Sequence, residues 1–194
     1  MPVPGELGRV CVRVEMPIRT ERLVLRPLRA EDADALHAYH RREDVARYLY
    51  RPPLDREGCA KLIARSIDSP EWGTTGADLG LAVCLRGQVI GETGLRLRSA
   101  LAAQAEIGWV FAPEYAGHGY ATEAARAVLA AAFGPLKVHR VYARLDADNK
   151  PSWRVCERLG MRREAYLVDS DVNPATGTWG SEYVYAMLAR EFAG

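Results

Sequence analysis

The sequence is poor in cysteine. Four occur in 194 residues, Cys11, Cys59, Cys84 and Cys156, widely spaced and without a Cys-x-x-Cys pair. That pattern suits reduced thiols in a cytosol better than a disulfide framework or a zinc site, so a cytoplasmic location is expected. Long apolar runs are missing too: none approaches the ~20 residues of a membrane span. The N-terminus has no apolar core of the signal-peptide kind, so no membrane partner is expected. Charge of one sign is scarce, with a net charge of +1. Charge alone therefore implies no polyanion partner, and direct nucleic-acid binding is not expected. His37 and His40 lack a third ligand, so they read as surface or packing residues, and no metal is expected. There is no repeat or low-complexity tract. What remains is 48% hydrophobic and 26% charged residues, ordinary for a soluble domain, in a chain long enough for one α/β domain with a real core.

The pattern along the chain alternates strands and helices. Residues 1–16 carry Pro2, Pro4, Gly5 and Gly8 and read as a weakly docked extension ahead of a domain at 17–194. Glu21–Leu28 reads as a first strand ending at Pro27. Glu31 and Asp32 start a helix, and Asp55 caps another running to Ile67 with Cys59, Leu62, Ile63 and Ile67 on one face. Between them, Arg47–Leu54 is a proline-broken loop. Leu79–Leu85, Gln88–Arg98 and Ala103–Ala112 form an antiparallel meander, the first two joined by the hairpin signal Arg86-Gly87. Ala121, Ala124, Ala125, Val128, Leu129, Ala132 and Phe133 follow one helical face, which Gly134-Pro135 ends. Val138–Leu145 reads as a strand parallel to Ala103–Ala112, with that helix as the crossover. Asn149 caps a helix ended by Gly160. Met161–Val172 and Glu182–Leu188 close the chain as an antiparallel pair.

The most informative stretch is Ala116-Gly117-His118-Gly119-Tyr120-Ala121-Thr122-Glu123-Ala124, a glycine turn between a strand and a helix. Glycines let the backbone adopt positive φ and bring bare N–H groups close to a ligand. The first amides of the helix have no internal partner and sit at the positive end of its dipole. Such a turn binds a phosphate or pyrophosphate. A Walker loop would end in Gly-Lys-Ser/Thr, but Tyr120-Ala121 follows Gly119. A dinucleotide fingerprint would place Gly or Ala where Thr122 stands. Coenzyme A, whose pyrophosphate can lie across such a loop, is the third reading.

Glu106-Ile107-Gly108-Trp109, Pro113-Glu114-Tyr115 and the glycine stretch together resemble the acyl-CoA loop of the GNAT N-acetyltransferases. They are closest to the branch of the Rim-type ribosomal-protein N-terminal acetyltransferases. Asn149-Lys150-Pro151-Ser152 and Glu157–Met161 resemble that branch's second motif, and Arg19–Leu28 its first strand, so the resemblance spans roughly residues 17–190. It implies an α/β (α+β) GNAT fold: a mixed, mostly antiparallel sheet of six to seven strands flanked by helices. A central parallel pair in it is splayed at the cofactor site by a bulge at about Val110–Phe111. It implies acetyl-CoA as cosubstrate, without metal, and a primary amine as acceptor. That acceptor is a protein N-terminal amine or a small molecule such as an aminoglycoside or polyamine. Dimers are common in the family, so a homodimer is a further expectation. Ala116 departs from the Gln or Arg often found there. Cys156 replaces a frequent Tyr, so a Tyr general acid does not carry over and Ser152 becomes the substitute. A non-catalytic acyl-CoA-binding domain and a nucleotide-binding module are the competing readings.

Acetyl transfer must position a thioester, polarise its carbonyl, deprotonate the amine and protonate the thiolate. Gly117, His118, Gly119, Tyr120, Ala121 and Thr122 are the expected pyrophosphate cradle, and free amides at Val110–Phe111 the oxyanion hole. Asn149 is expected at the pantetheine or thioester. Glu106, on one strand face with Gly108 and Val110, is the candidate general base. Ser152 is the candidate proton donor to the thiolate. Cys156 reads as packing, because the family transfers directly. Tyr48, Tyr50, Arg51, Trp72 and Trp179 are acceptor-side candidates. An α-amine of pKa ~8 costs about 1.4 kcal/mol to deprotonate at pH 7, and a lysine of ~10.4 about 4.6. One carboxylate acting through water therefore favours an N-terminal or other low-pKa amine.

Overall fold

A computed structural model describes residues 14–174 and 176–193. Most of the expected N-terminal extension lies outside the described residues, but Val14 and Met16 pack against the main core. The chain begins β1 (Ile18–Arg19), β2 (Leu23–Pro27), α1 (Ala33–His40), α2 (Glu43–Ala46) and α3 (Arg56–Ile67). The meander follows as β3 (Asp78–Leu85), β4 (Gln88–Ser99) and β5 (Gln104–Phe111). Then come α4 (Tyr120–Phe133), β6 (Arg140–Asp146), α5 (Lys150–Arg158), β7 (Arg162–Asn173) and β8 (Thr178–Leu188).

The strands form one sheet in the order β1-β2-β3-β4-β5-β6-β8-β7. That is one strand more than the upper expectation, the two-residue β1 making the difference. All neighbours are antiparallel except β5 and β6. The hairpin between β3 and β4 forms where expected, with Arg86 at φ 50° and Gly87 at φ 86°, the geometry that matches strand twist.

Strand alternation sorts side chains into two cores. On one face α4 lays Ala124, Ala125, Val128, Leu129 and Ala132, all at 0% exposure, over the sheet. On the other, α1 and α3 cover β2 and β3 with Leu36, Tyr39, Cys59 and Ile63. Asp55 caps α3 by accepting from the Gly58 amide at 2.7 Å. Ile67 departs from the expected buried face. It is 56% exposed, because it is the last residue of α3 and stands where the helix gives way to the loop. Arg26 forks onto Asp32 with two 2.7 Å bonds, tying β2 to the start of α1.

The parallel pairing of β5 with β6 covers only Gln104↔Arg140, Ala105↔Val141 and Glu106↔Tyr142. Beyond it the strands separate. The cause is not the expected bulge at Val110–Phe111, since β5 keeps unbroken register with β4 from Ala105 to Phe111. The irregularities lie in β4, near Ile90 and at Arg98. β6 instead follows β8, pairing from Arg140↔Leu188 to Asp146↔Glu182, and so leaves β5.

Candidate active site

Register places three rows of residues across β3, β4 and β5 on the α1/α3 face of the sheet. The middle row is Gly80–Gly94–Gly108. On one side lies Asp78–Arg96–Glu106, on the other Ala82–Glu92–Val110. The glycines make a floor without side chains. A Cβ at Gly108 would meet nothing within 4 Å, whereas one at Gly94 would strike the Leu79 carbonyl oxygen at 2.4 Å. Above this floor is a cleft of about 350 Å³, also lined by Tyr48, Arg65, Arg98, Trp109, Asn149 and Ser152.

Glu106 stands at the last paired position before the gap. Arg98 Nε donates to its Oε2 at 2.6 Å, and the Tyr142 hydroxyl lies 3.5 Å from the same oxygen. Burial and the Glu106 charge both raise the Tyr142 phenol above its usual range. At the far wall, Asn149 caps α5 by accepting from the Ser152 amide at 3.3 Å. Trp109 Nε1 donates to Ser152 Oγ at 3.1 Å. Ser152, Trp109 and Glu106, brought from α5 and two positions of β5, thus share one cleft.

The backbone of β5 also faces the gap. The Ala112 amide bonds the Ile90 carbonyl on β4 at 3.0 Å. Antiparallel alternation then gives the Val110 amide to β4 and turns those of Trp109 and Phe111 toward the space that β6 has left. The Val110 side chain stays on the cleft face.

The glycine turn has the geometry its sequence implies. Gly117 and Gly119 both sit at φ 80°, and Gly119 precedes α4 as its cap. Among the described residues, no hydrogen bond is made by the amides of Gly117, His118, Gly119, Tyr120, Ala121 or Thr122. Thr122 Oγ1 is buried and also without a partner. The turn therefore presents unsatisfied donors at a positive helix end, as a diphosphate requires. It is held from behind. Glu123 Oε1 accepts from the Thr20 hydroxyl at 2.6 Å and the Arg22 amide at 2.9 Å, and Oε2 accepts from Arg22 Nε at 2.7 Å. Arg22 also donates to the His118 carbonyl at 3.0 Å and stacks 4.6 Å from the Tyr120 ring centre. Burial alone would raise the Glu123 carboxyl, but these donors hold it below its usual range.

Residues 22–162 match the family model described as an acetyltransferase (GNAT) domain. The chain belongs to the GNAT acetyltransferases. A Bacillus subtilis (strain 168) relative, called the uncharacterized N-acetyltransferase YnaD, is 30% identical over 181 residues, covering 91% of this chain and 99% of its own. The crystal structure of a Bacillus anthracis GNAT-family acetyltransferase superposes with TM-score 0.79 at 32% identity, covering 91% of this chain and 100% of its own. Two more distant structures share the fold. Mycobacterium smegmatis RimJ, in complex with CoA-disulfide, has TM-score 0.74 at 23% identity and covers 89% of this chain and 84% of its own. Vibrio cholerae spermidine N-acetyltransferase, in complex with CoA and spermine, has TM-score 0.76 at 21% identity and covers 89% and 98%. No helix among the described residues is long and apolar enough to cross a membrane.

In this GNAT enzyme the acceptor-side candidates fall at different places. Tyr48 lines the cleft. Tyr50, at φ 48°, packs its hydroxyl over Gly180 of β8, beside Asp146 of the cleft wall. Trp72 lies against Leu136, donating to its carbonyl at 3.4 Å, and Trp179 is 66% exposed; neither borders the cleft. Trp72 lines a second pocket instead, on the other side of Asp78 and Leu79. Arg51 is turned inward to His40, 2.7 Å from Nδ1. Cys156 is fully buried, and burial pushes its thiol up to about 12, which suits packing rather than nucleophilic attack. The sequence reading missed Glu92 and Asp78. A glycine at the matching position of three consecutive strands was the available signal.

Proposed function

We propose that the enzyme transfers an acetyl group from acetyl-CoA directly to a primary amine, specifically a protein N-terminal amine of the ribosomal-protein type. The observation that carries this reading is the gap beside Glu106. It has turned-out amides on one wall, the Ser152 hydroxyl on the other and an unsatisfied anion cradle at its end.

In this reading the amides of Gly117 to Thr122 take the pyrophosphate. Asn149 Nδ2, without a partner among the described residues, meets the pantetheine. The amides of Trp109 and Phe111 polarise the thioester carbonyl. The amine nitrogen attacks the carbonyl carbon, and Glu106 accepts, through water, a proton that the nitrogen loses. The C–S bond breaks as the adduct collapses, and Ser152 Oγ–H protonates the departing sulfur.

The charge of the cleft supports a singly charged acceptor. Arg65, Arg96, Arg98 and Arg144 line it together with Asp78, Glu92, Glu106 and Asp146. A polycation would meet as many positive as negative walls. A small-molecule amine is the second reading, favoured by the shared fold with the spermine-bound Vibrio enzyme. A thiol-release assay with acetyl-CoA tests both, using N-terminal peptides, aminoglycosides and polyamines as acceptors. Peptide-dependent thiol release is expected. Coenzyme A binding without release for any amine would favour a non-catalytic binding domain and overturn the proposal.

A further inference from the structure

One carboxylate on the cleft floor is supported unlike the others. Glu92 projects from β4 opposite Val110, its side chain 13% exposed. Glu106 is paired with Arg98, Glu182 with Arg144 and Glu123 with Arg22. Glu92 has no arginine or lysine within 4 Å among the described residues. Its partners are His40, with Nε2 3.0 Å from Oε1, and the Tyr39 hydroxyl, 3.4 Å from Oε2.

The chemistry behind it fixes the direction of those bonds. His40 is 0% exposed. Arg51 stands 2.7 Å from its Nδ1. A guanidinium can only donate, so Nδ1 accepts and the ring proton lies on Nε2, facing Glu92. The Leu54 amide bonds the His40 carbonyl at 2.9 Å, anchoring the loop that carries Arg51. Burial, then the Glu92 charge, raises the Tyr39 phenol well above its usual range, so it too remains a donor. The remaining charged or titratable groups about Glu92 are Cys59 from α3 and, across the same cleft, Asp78, Arg65, Arg96, Arg98, Glu106, Arg144 and Asp146. Burial lifts the Cys59 thiol to about 11 and raises the Asp78 carboxyl. Glu92 therefore faces the cleft with the His40 N–H and the Tyr39 O–H behind it and Arg51 held off by the imidazole. A carboxylate so placed is completed by a cation arriving from the cleft.

We propose that Glu92 is the docking and proton-accepting site for the acceptor's ammonium group, with His40 as its positioning residue. This rests on the reading of the cleft as an amine-acetylating site. Acylation of R–NH3+ removes two protons from nitrogen. The first passes to the Glu92 carboxylate as the amine docks. The neutral amine then forms the C–N bond, the C–S bond breaks and the sulfur takes its proton from Ser152. The second nitrogen proton leaves through water to Glu106. One of the two carboxyl protons returns through water to the Ser152 oxygen and the other is released, so the sum is an amide, a thiol and one proton to solvent.

The experiment compares Glu92→Gln, Glu92→Asp, His40→Gln and His40→Leu in the full chain. The readouts are KM and kcat against pH for the best acceptor of the peptide and amine panel, CoA affinity by calorimetry, and thermal stability. Glu92→Gln is expected to raise the acceptor KM at least tenfold at neutral pH while CoA affinity stays at the wild-type value, with Glu92→Asp intermediate. His40→Gln, which still offers an N–H, is expected to restore most of the acceptor affinity that His40→Leu loses. Nitrogen-15 NMR of the wild-type protein is expected to show the His40 proton on Nε2. An unchanged acceptor KM in a folded, CoA-binding Glu92→Gln protein overturns the proposal. So does a proton on Nδ1, an outcome that needs no acceptor. Wild-type protein that acetylates nothing in the panel overturns the parent reading, and this assignment with it.

Discussion

Trp109 Nε1 donates a 3.1 Å hydrogen bond to Ser152 Oγ across 43 residues of sequence. The bond occupies a lone pair of the hydroxyl and leaves its proton free to point into the cleft. A hydroxyl that surrenders that proton becomes an alkoxide, and the indole N–H is already in place to stabilise it. Ser152→Ala should therefore lower kcat about 10²-fold, with CoA affinity by calorimetry unchanged. Trp109→Phe should lower it less, because the hydroxyl remains.

Glu106→Gln should reduce turnover at neutral pH and recover part of it at high pH, where hydroxide can take the nitrogen proton that Glu106 otherwise accepts through water. Steady-state rates across the pH range check this. An unchanged rate at neutral pH would show that another group takes the proton.

The clamp on the cofactor turn carries a pH signature. Donors from Thr20 and Arg22 hold the folded-state Glu123 carboxyl below its unfolded value, and the Arg26 fork does the same for Asp32. A depressed carboxyl contributes stability that is fully present above the unfolded value, about 4, and is lost as pH falls through the folded one. Thermal stability should therefore decline below about pH 4. Glu123→Gln should lose about 1–2 kcal/mol at neutral pH, show a shallower acid decline and bind CoA more weakly. Melting curves against pH and calorimetry measure both effects.

Gly119→Ala forces a Cβ onto a φ of 80°, a backbone cost of about 1–2 kcal/mol. The chain should still fold, with CoA affinity reduced about tenfold because the amides move off their common focus.

The floor glycines separate folding from function. Gly108→Ala adds a methyl where nothing lies within 4 Å, whereas Gly94→Ala drives one to 2.4 Å from a backbone oxygen. The first variant should melt like the wild type but show a raised acceptor KM. The second should be poorly folded by circular dichroism.

The local structure of this fold was legible where one periodic signal decided it. The buried face of α4, the Asp55 cap and the Arg86-Gly87 hairpin all depend on residues within a few positions of each other. The cofactor turn was legible for the same reason. The splay of β5 from β6 was expected from family resemblance but through the wrong device, since pairing of β6 with β8 is a long-range preference that no stretch of β5 encodes. Glu92 and His40, 52 residues apart, meet only because α1 packs over β4. Thus His40 read alone looked like a surface or packing residue. Arg22 and Glu123, 101 apart, became a clamp only once the β1–β2 turn was laid beside α4.

A crystal structure of the protein grown with coenzyme A bears most directly on the central claim. The pyrophosphate oxygens should rest on the amides of Gly117 to Thr122, with the thiol in the gap between β5 and β6, on the side of Ser152 and Glu106. A cofactor bound elsewhere, or a thiol directed away from that gap, would contradict it.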